Sequence, residues 1–198
     1  METATRGKYA RALSREQRAA RERSALSTAA QQALLEMPEH EVTVSVLCQR
    51  AAVGRNTLYL HWPSVAALIS DVVQQAEARL RNALVLDAEQ LRTPRTRLTA
   101  LSLRWLEFAR ETPQPAGLLF ATRQGREALS RVLGYELSQL GRQAYASGLS
   151  SRVPSDDALA AVCGAFVACG ERVVHGQLTA DLADLSGILT QLSLGALR

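Results

Sequence analysis

Two short helical runs separated by a three-residue break constrain this chain more than any other feature of its sequence. They occupy residues 42–64. Thr43 is placed to cap the first run, in which Val44, Leu47, Cys48 and Ala51 recur at helical spacing. Ala52, Val53 and Gly54 break it. The second run extends from Arg55 to about His61, and Pro63 and Ser64 open the next helix. Helices this short are unstable alone in water, so both must pack on a third helix. Leu47, Cys48, Ala51, Val53, Leu58 and Trp62 supply the small core this requires. The second run is then left with Arg55, Asn56, Thr57, Tyr59 and His61 facing largely outward. Such a set packs poorly against protein and hydrogen-bonds well in a DNA groove.

Helical spacing continues through almost all of the remaining sequence, without convincing strand alternation. Residues 1–13 read as a basic arm. A first helix runs from the N-cap Ser14 to Met37, where Pro38 forbids continuation. Residues 39–42 form a short linker. The helix opened by Pro63-Ser64 ends near Leu86. Thr93-Pro94, an N-cap with proline at the first helical position, starts a helix that ends at Glu111. Pro113 and Pro115 set off a short apolar piece, residues 116–121. A long helix of about residues 124–147 is stopped by Gly148. Another opens at Pro154-Ser155-Asp156-Asp157, its acids suited to the positive helix N-terminus, and a last one covers residues 181–197. The expected fold is therefore all-α: a helix-turn-helix domain over 1–63, including the arm 1–13, joined to a helical domain over 64–198.

Composition excludes several classes. With 198 residues, 47% hydrophobic and 21% charged, the chain can bury a full core, and aromatics at 5% disfavour a β-sandwich or barrel. The net charge is +4, and Lys8 is the one lysine among 23 basic residues. Up to residue 35, Arg6, Lys8, Arg11, Arg15, Arg18, Arg21 and Arg23 face only Glu2, Glu16 and Glu22, so this stretch holds the whole chain's surplus. Three cysteines, Cys48, Cys163 and Cys169, without CxxC spacing, read as buried free thiols. No apolar run nears the ~18 residues of a membrane span, and no signal peptide is evident, so a cytoplasmic protein is expected. No metal-ligand spacing, nucleophile motif or phosphate-cradling glycine loop is present. Neither metal, cofactor nor enzymatic activity is expected. A helical enzyme or carrier that retains a helix-turn-helix is the competing class.

Residues 42–64 resemble the TetR family of bacterial regulators. The match runs through Thr43, Val44, Leu47, Ala51, Val53, Thr57, Leu58, Tyr59, Trp62 and Ser64, with His61 where the family carries Tyr or His. Four departures stand out. Ala52 replaces the turn glycine, Gly54 replaces a capping serine, Asn56 replaces a small residue early in the second helix, and Val65 replaces a lysine that follows Ser64.

The resemblance implies that Thr43, Tyr59 and His61 hold backbone phosphates, while Arg55, Asn56 and Thr57 face base edges. The arm either enters a minor groove or stays a solvated tail. The resemblance further implies a homodimer on a palindromic double-stranded DNA operator. Its interface would draw on Leu159, Val162, Phe166, Gly170, Val173, Leu185, Leu189 and Leu192. A small-molecule effector would fill a pocket lined by Leu101, Trp105, Phe108, Leu118, Phe120, Phe166 and His175, although an aromatic stripe at this spacing is also ordinary core. The implied function is a repressor released by its effector. A ligand-independent regulator or an activator of the same fold stays open.

Overall fold

The computed structural model describes residues 14–87, 90, 92–151, 153–178 and 180–196. The expected basic arm, with Arg6, Lys8 and Arg11, lies outside them. The described residues form nine α-helices and no strand, as an all-α chain requires. They are α1 (Arg15–Glu36), α2 (Val44–Ala51), α3 (Arg55–His61), α4 (Val65–Ala83), α5 (Pro94–Glu111), α6 (Pro113–Ala121), α7 (Arg123–Ala146), α8 (Asp156–Val174) and α9 (Leu182–Ala196).

Caps explain most boundaries. Ser14 Oγ accepts from the Gln17 amide at 3.1 Å while Gln17 Oε1 accepts from the Ser14 amide at 3.0 Å, a reciprocal pair that starts α1. Thr93 and Thr96 do the same for α5, with Pro94 at the first position. Ser64 and Ser155 accept from the amides of Ala67 and Ala158. Two boundaries differ from the sequence reading. Helix α6 begins at Pro113, not at residue 116, because first-turn amides have no helical acceptor and both prolines fit there without loss. The 39–42 link contains a 3-10 turn, Glu39–Glu41, which delivers Val42 into the core.

Helix α5 is the central post, packed by α4, α6, α7, α8 and α9. Its Trp105 is fully buried and donates Nε1–H to the Phe166 carbonyl at 2.8 Å. One turn further along α8, Gly170 lies under the same indole, and a methyl added there would run into the ring. Glycine is what lets α8 approach α5 so closely.

The first three helices share a core of Leu26, Ala30, Leu47, Leu58 and Trp62, continuous with that of the rest of the chain. Helix α3 is held by little: Leu58 is its one buried residue, and Trp62 follows at its C-cap. Trp62 Nε1–H and Arg23 each reach Asp71 Oδ2 of α4 at 2.9 Å. The Arg23 guanidinium also stacks 5.1 Å above the Trp62 ring. One carboxylate thereby joins α1, the end of α3 and α4.

Candidate nucleic-acid interface

Because Leu58 turns inward, the opposite side of α3 is free. Arg55 and Asn56 are exposed and, among the described residues, their side chains have no hydrogen-bonding partner. Thr57 is half-buried, and Tyr59 is 53% exposed. Thr43 is exposed at the start of α2, where its Oγ1 accepts from the Val46 amide at 3.4 Å. Its hydroxyl proton remains available to an outside acceptor.

His61 does not face outward as the sequence reading expects. Its side chain is only 14% exposed, with Nε2 3.7 Å from Glu22 Oε2 on α1 and the ring 5.7 Å from that of Trp62. The last turn of α3 abuts α1, and Nε2, buried there, has no hydrogen-bond partner among the described residues. To meet a phosphate the ring would have to leave Glu22.

Sequence reasoning missed two features. Leu60 is 81% exposed, one turn beyond Asn56 on the same side of α3. An alternation of Leu58 in and Leu60 out cannot be read from composition, but its place in the 3.6 period of α3 gives it away. Arg15 and Arg18 are exposed at seven and four residues before Glu22, hence on the side of α1 that meets His61. They extend positive charge past the end of α3. Their register acquires meaning only through the Glu22–His61 contact, which links distant parts of the chain.

Two carboxylates fix the orientation of α4 beneath this surface. Partial burial raises the Asp71 carboxyl, but hydrogen bonds from Trp62, Gln75 and Arg23, with the charge of Arg23, hold it below its ordinary 3.8. Glu77 is likewise raised by burial and more strongly lowered by Arg81 and Arg131, the latter from α7 at 3.1 Å.

The residues expected to line an effector pocket are largely core. Leu101, Trp105 and Phe166 are fully enclosed, and Leu118, Phe108 and Phe120 nearly so. The indole of Trp105 lies 6.2 Å from the Phe108 ring and 6.3 Å from that of Phe120, which fills the interior. Phe120 and the exposed His175 instead border an open groove of about 500 Å³ between the end of α1, the start of α6 and the end of α8.

The expected dimer set is also redistributed. Val162, Phe166, Gly170, Val173 and Leu189 are enclosed within the protomer by α5 and its neighbours, so they have no surface to offer a partner. Leu159 and Leu185 are half-buried, and Leu192 is 60% exposed. The inward side of α9 mixes hydroxyls with Leu182 and Leu189. Ser186, Thr190 and Ser193 point inward, while Ile188 (54% exposed) and Leu192 point outward. The buried Thr190 and Ser193 hydroxyls donate to the Ser186 and Leu189 carbonyls, so inward burial leaves neither unpaired. Beside them α8 exposes Ala160, Ala161, Gly164 and Ala168.

No protein-family model and no curated protein matches the chain. Solved structures do. A TetR-like transcriptional regulator from Rhodococcus sp. RHA1 superposes with a TM-score of 0.69 at 18% identity, covering 92% of this chain and 96% of its own. A TetR family transcription regulator from Marinobacter aquaeolei VT8 gives 0.69 at 16% identity, covering 91% and 97%. The fatty acid degradation regulator FadR of Bacillus halodurans gives 0.63 at 16% identity, covering 87% and 94%. At these identities the likeness is one of fold, and it spans nearly the full length of each chain.

Proposed function

We propose that this chain, which has the fold of TetR-family regulators, is a DNA-binding transcriptional regulator, and specifically a dimeric repressor released by a small molecule. The observation that carries the reading is α3 itself. A helix anchored by Leu58 presents Arg55, Asn56, Tyr59 and Leu60 to solvent. In a major groove Arg55 suits guanine, the Asn56 amide suits adenine, and Leu60 suits a thymine methyl. Tyr59, Thr43, Arg15 and Arg18 would hold phosphates and set the register.

A two-fold dimer through the exposed strip of α8 and α9 would bring two such helices to half-sites about 34–36 Å apart. The closed interior around Trp105 favours a second reading, in which a regulator of this fold acts without an effector.

The test is selection of an operator from random duplex with the full chain, followed by titration of variants. Tyr59→Ala should weaken binding to every sequence alike and leave the salt slope unchanged, because a phenol neutralises no phosphate charge. Asn56→Ala should relax preference at one base pair, by about 1–3 kcal/mol of lost discrimination. No enrichment of any duplex, or unchanged binding in both variants, rejects the assignment.

A further inference from the structure

We infer that the groove between α1, α6 and α8 is a binding site for a hydrophobic monocation, an ammonium or amidinium on an apolar body. The inference rests on the regulator reading only for its consequence, not for the site. The groove encloses about 500 Å³, within the range of small-molecule sites, and lies outside the filled interior around Trp105. Leu34, Leu35, Met37, Phe120 and Val174 give it an apolar floor. Gly117 lets the floor form: a methyl there would come within 2.8 Å of Leu35 Cδ2.

The charged groups at the rim are of one sign. Glu171 and Glu36 line the groove together with His175, and no arginine does. Glu171 is exposed and forms no ion pair with any described residue. Glu36 binds Arg50 of α2 at 2.7 Å. An apolar floor below an uncompensated carboxylate attracts a cation with a greasy body and repels an anion of the same shape.

Glu36 also gives the site a route to the DNA-binding helices. Glu36 lines the groove, and its carboxylate ties α1 to α2 through Arg50. A cation seated beside Glu36 competes with Arg50 for that carboxylate and loosens the hold of α1 on α2. The bound and DNA-bound states are then linked, each weakening the other by the same factor.

The test uses the full chain and a matched set of probes: phenylpropyl-trimethylammonium, phenylpropanol and phenylbutyrate, titrated by calorimetry. The ammonium should bind, and the neutral and anionic analogues should bind at least about fivefold more weakly. Glu171→Gln should lower ammonium affinity about fivefold or more with an unchanged melting temperature, whereas Asp184→Asn, an exposed carboxylate on α9, should leave it unchanged. Arg50→Met, which frees Glu36, should raise the affinity. Equal binding of the three probes, no binding of the ammonium, or indifference to Glu171→Gln overturns the site. Ammonium binding that leaves operator affinity untouched retains the site and removes its regulatory role. Release of the operator by an unrelated compound, without ammonium binding, overturns the site and leaves the regulator reading standing.

Discussion

Ala52 adopts φ 52° and ψ 42°, the one non-glycine residue of positive φ among those described. A side chain in the left-handed region crowds the following carbonyl, a cost of order 1 kcal/mol that glycine avoids. The strain persists because Leu47 and Leu58, both fully buried, fix the two helices that Ala52 joins. Ala52→Gly should therefore stabilise the protein by about 1 kcal/mol, raising the thermal midpoint by roughly 2–4 °C, which differential scanning calorimetry would detect. Gly170 is the opposite case. Ala at that position would press on the buried Trp105 ring, and Gly170→Ala should cost about 2–3 kcal/mol in chemical denaturation. At Leu60 the expected readout is chemical: replacing operator thymines by uracil should weaken the native chain at one position and leave Leu60→Ala unaffected. Equal sensitivity of the two proteins would remove Leu60 from base reading.

At the scale of elements, the joint between α3 and α4 depends on a charge. Asp71 has a lowered pKa in the fold, so its contribution is complete above the unfolded value near 3.8 and is lost as pH falls through the lower folded value. Glu77 acts in the same direction at the α4–α7 contact. Asp71→Asn keeps an acceptor for Trp62 but cannot titrate. Its stability should be lower than that of the native chain at neutral pH, and the difference should shrink as urea melts are taken below pH 4.

The boundaries of these elements were legible in the sequence where a side-chain cap imposed them, as at Ser14, Thr93-Pro94 and Ser155, but not at Pro113, which fits a first turn as readily as a break. The free side of α3 was legible because a short helix with one apolar row leaves no choice. The inward turn of His61 was not, since it depends on Glu22, 39 residues earlier in the chain. The facing of α9 was hidden for another reason. Its hydroxyls satisfy themselves on their own helix, so Ser186, Thr190 and Ser193 can face the core beside Leu182 and Leu189 while Ile188 and Leu192 face out. The groove draws its walls from three helices far apart in sequence, which no local pattern announces.

At the scale of the molecule, the outward Ile188 and Leu192, beside the small residues of α8, set the expected assembly. Leu192→Glu should leave the protomer folded, since the site is 60% exposed, yet shift sedimentation from dimer to monomer. Operator affinity should fall with it by about tenfold or more, because each half-site alone keeps only part of the contacts. A monomeric native chain, or a dimeric Leu192→Glu, would place the partner surface elsewhere. The chain's two tryptophans also sit apart in its continuous core: Trp62 beneath an arginine where α1, α3 and α4 meet, Trp105 in the filled interior beside α8. Each is thus a resident fluorophore with its own surroundings and its own emission. Single-tryptophan variants would show directly whether the first three helices melt together with the rest of the chain or ahead of it.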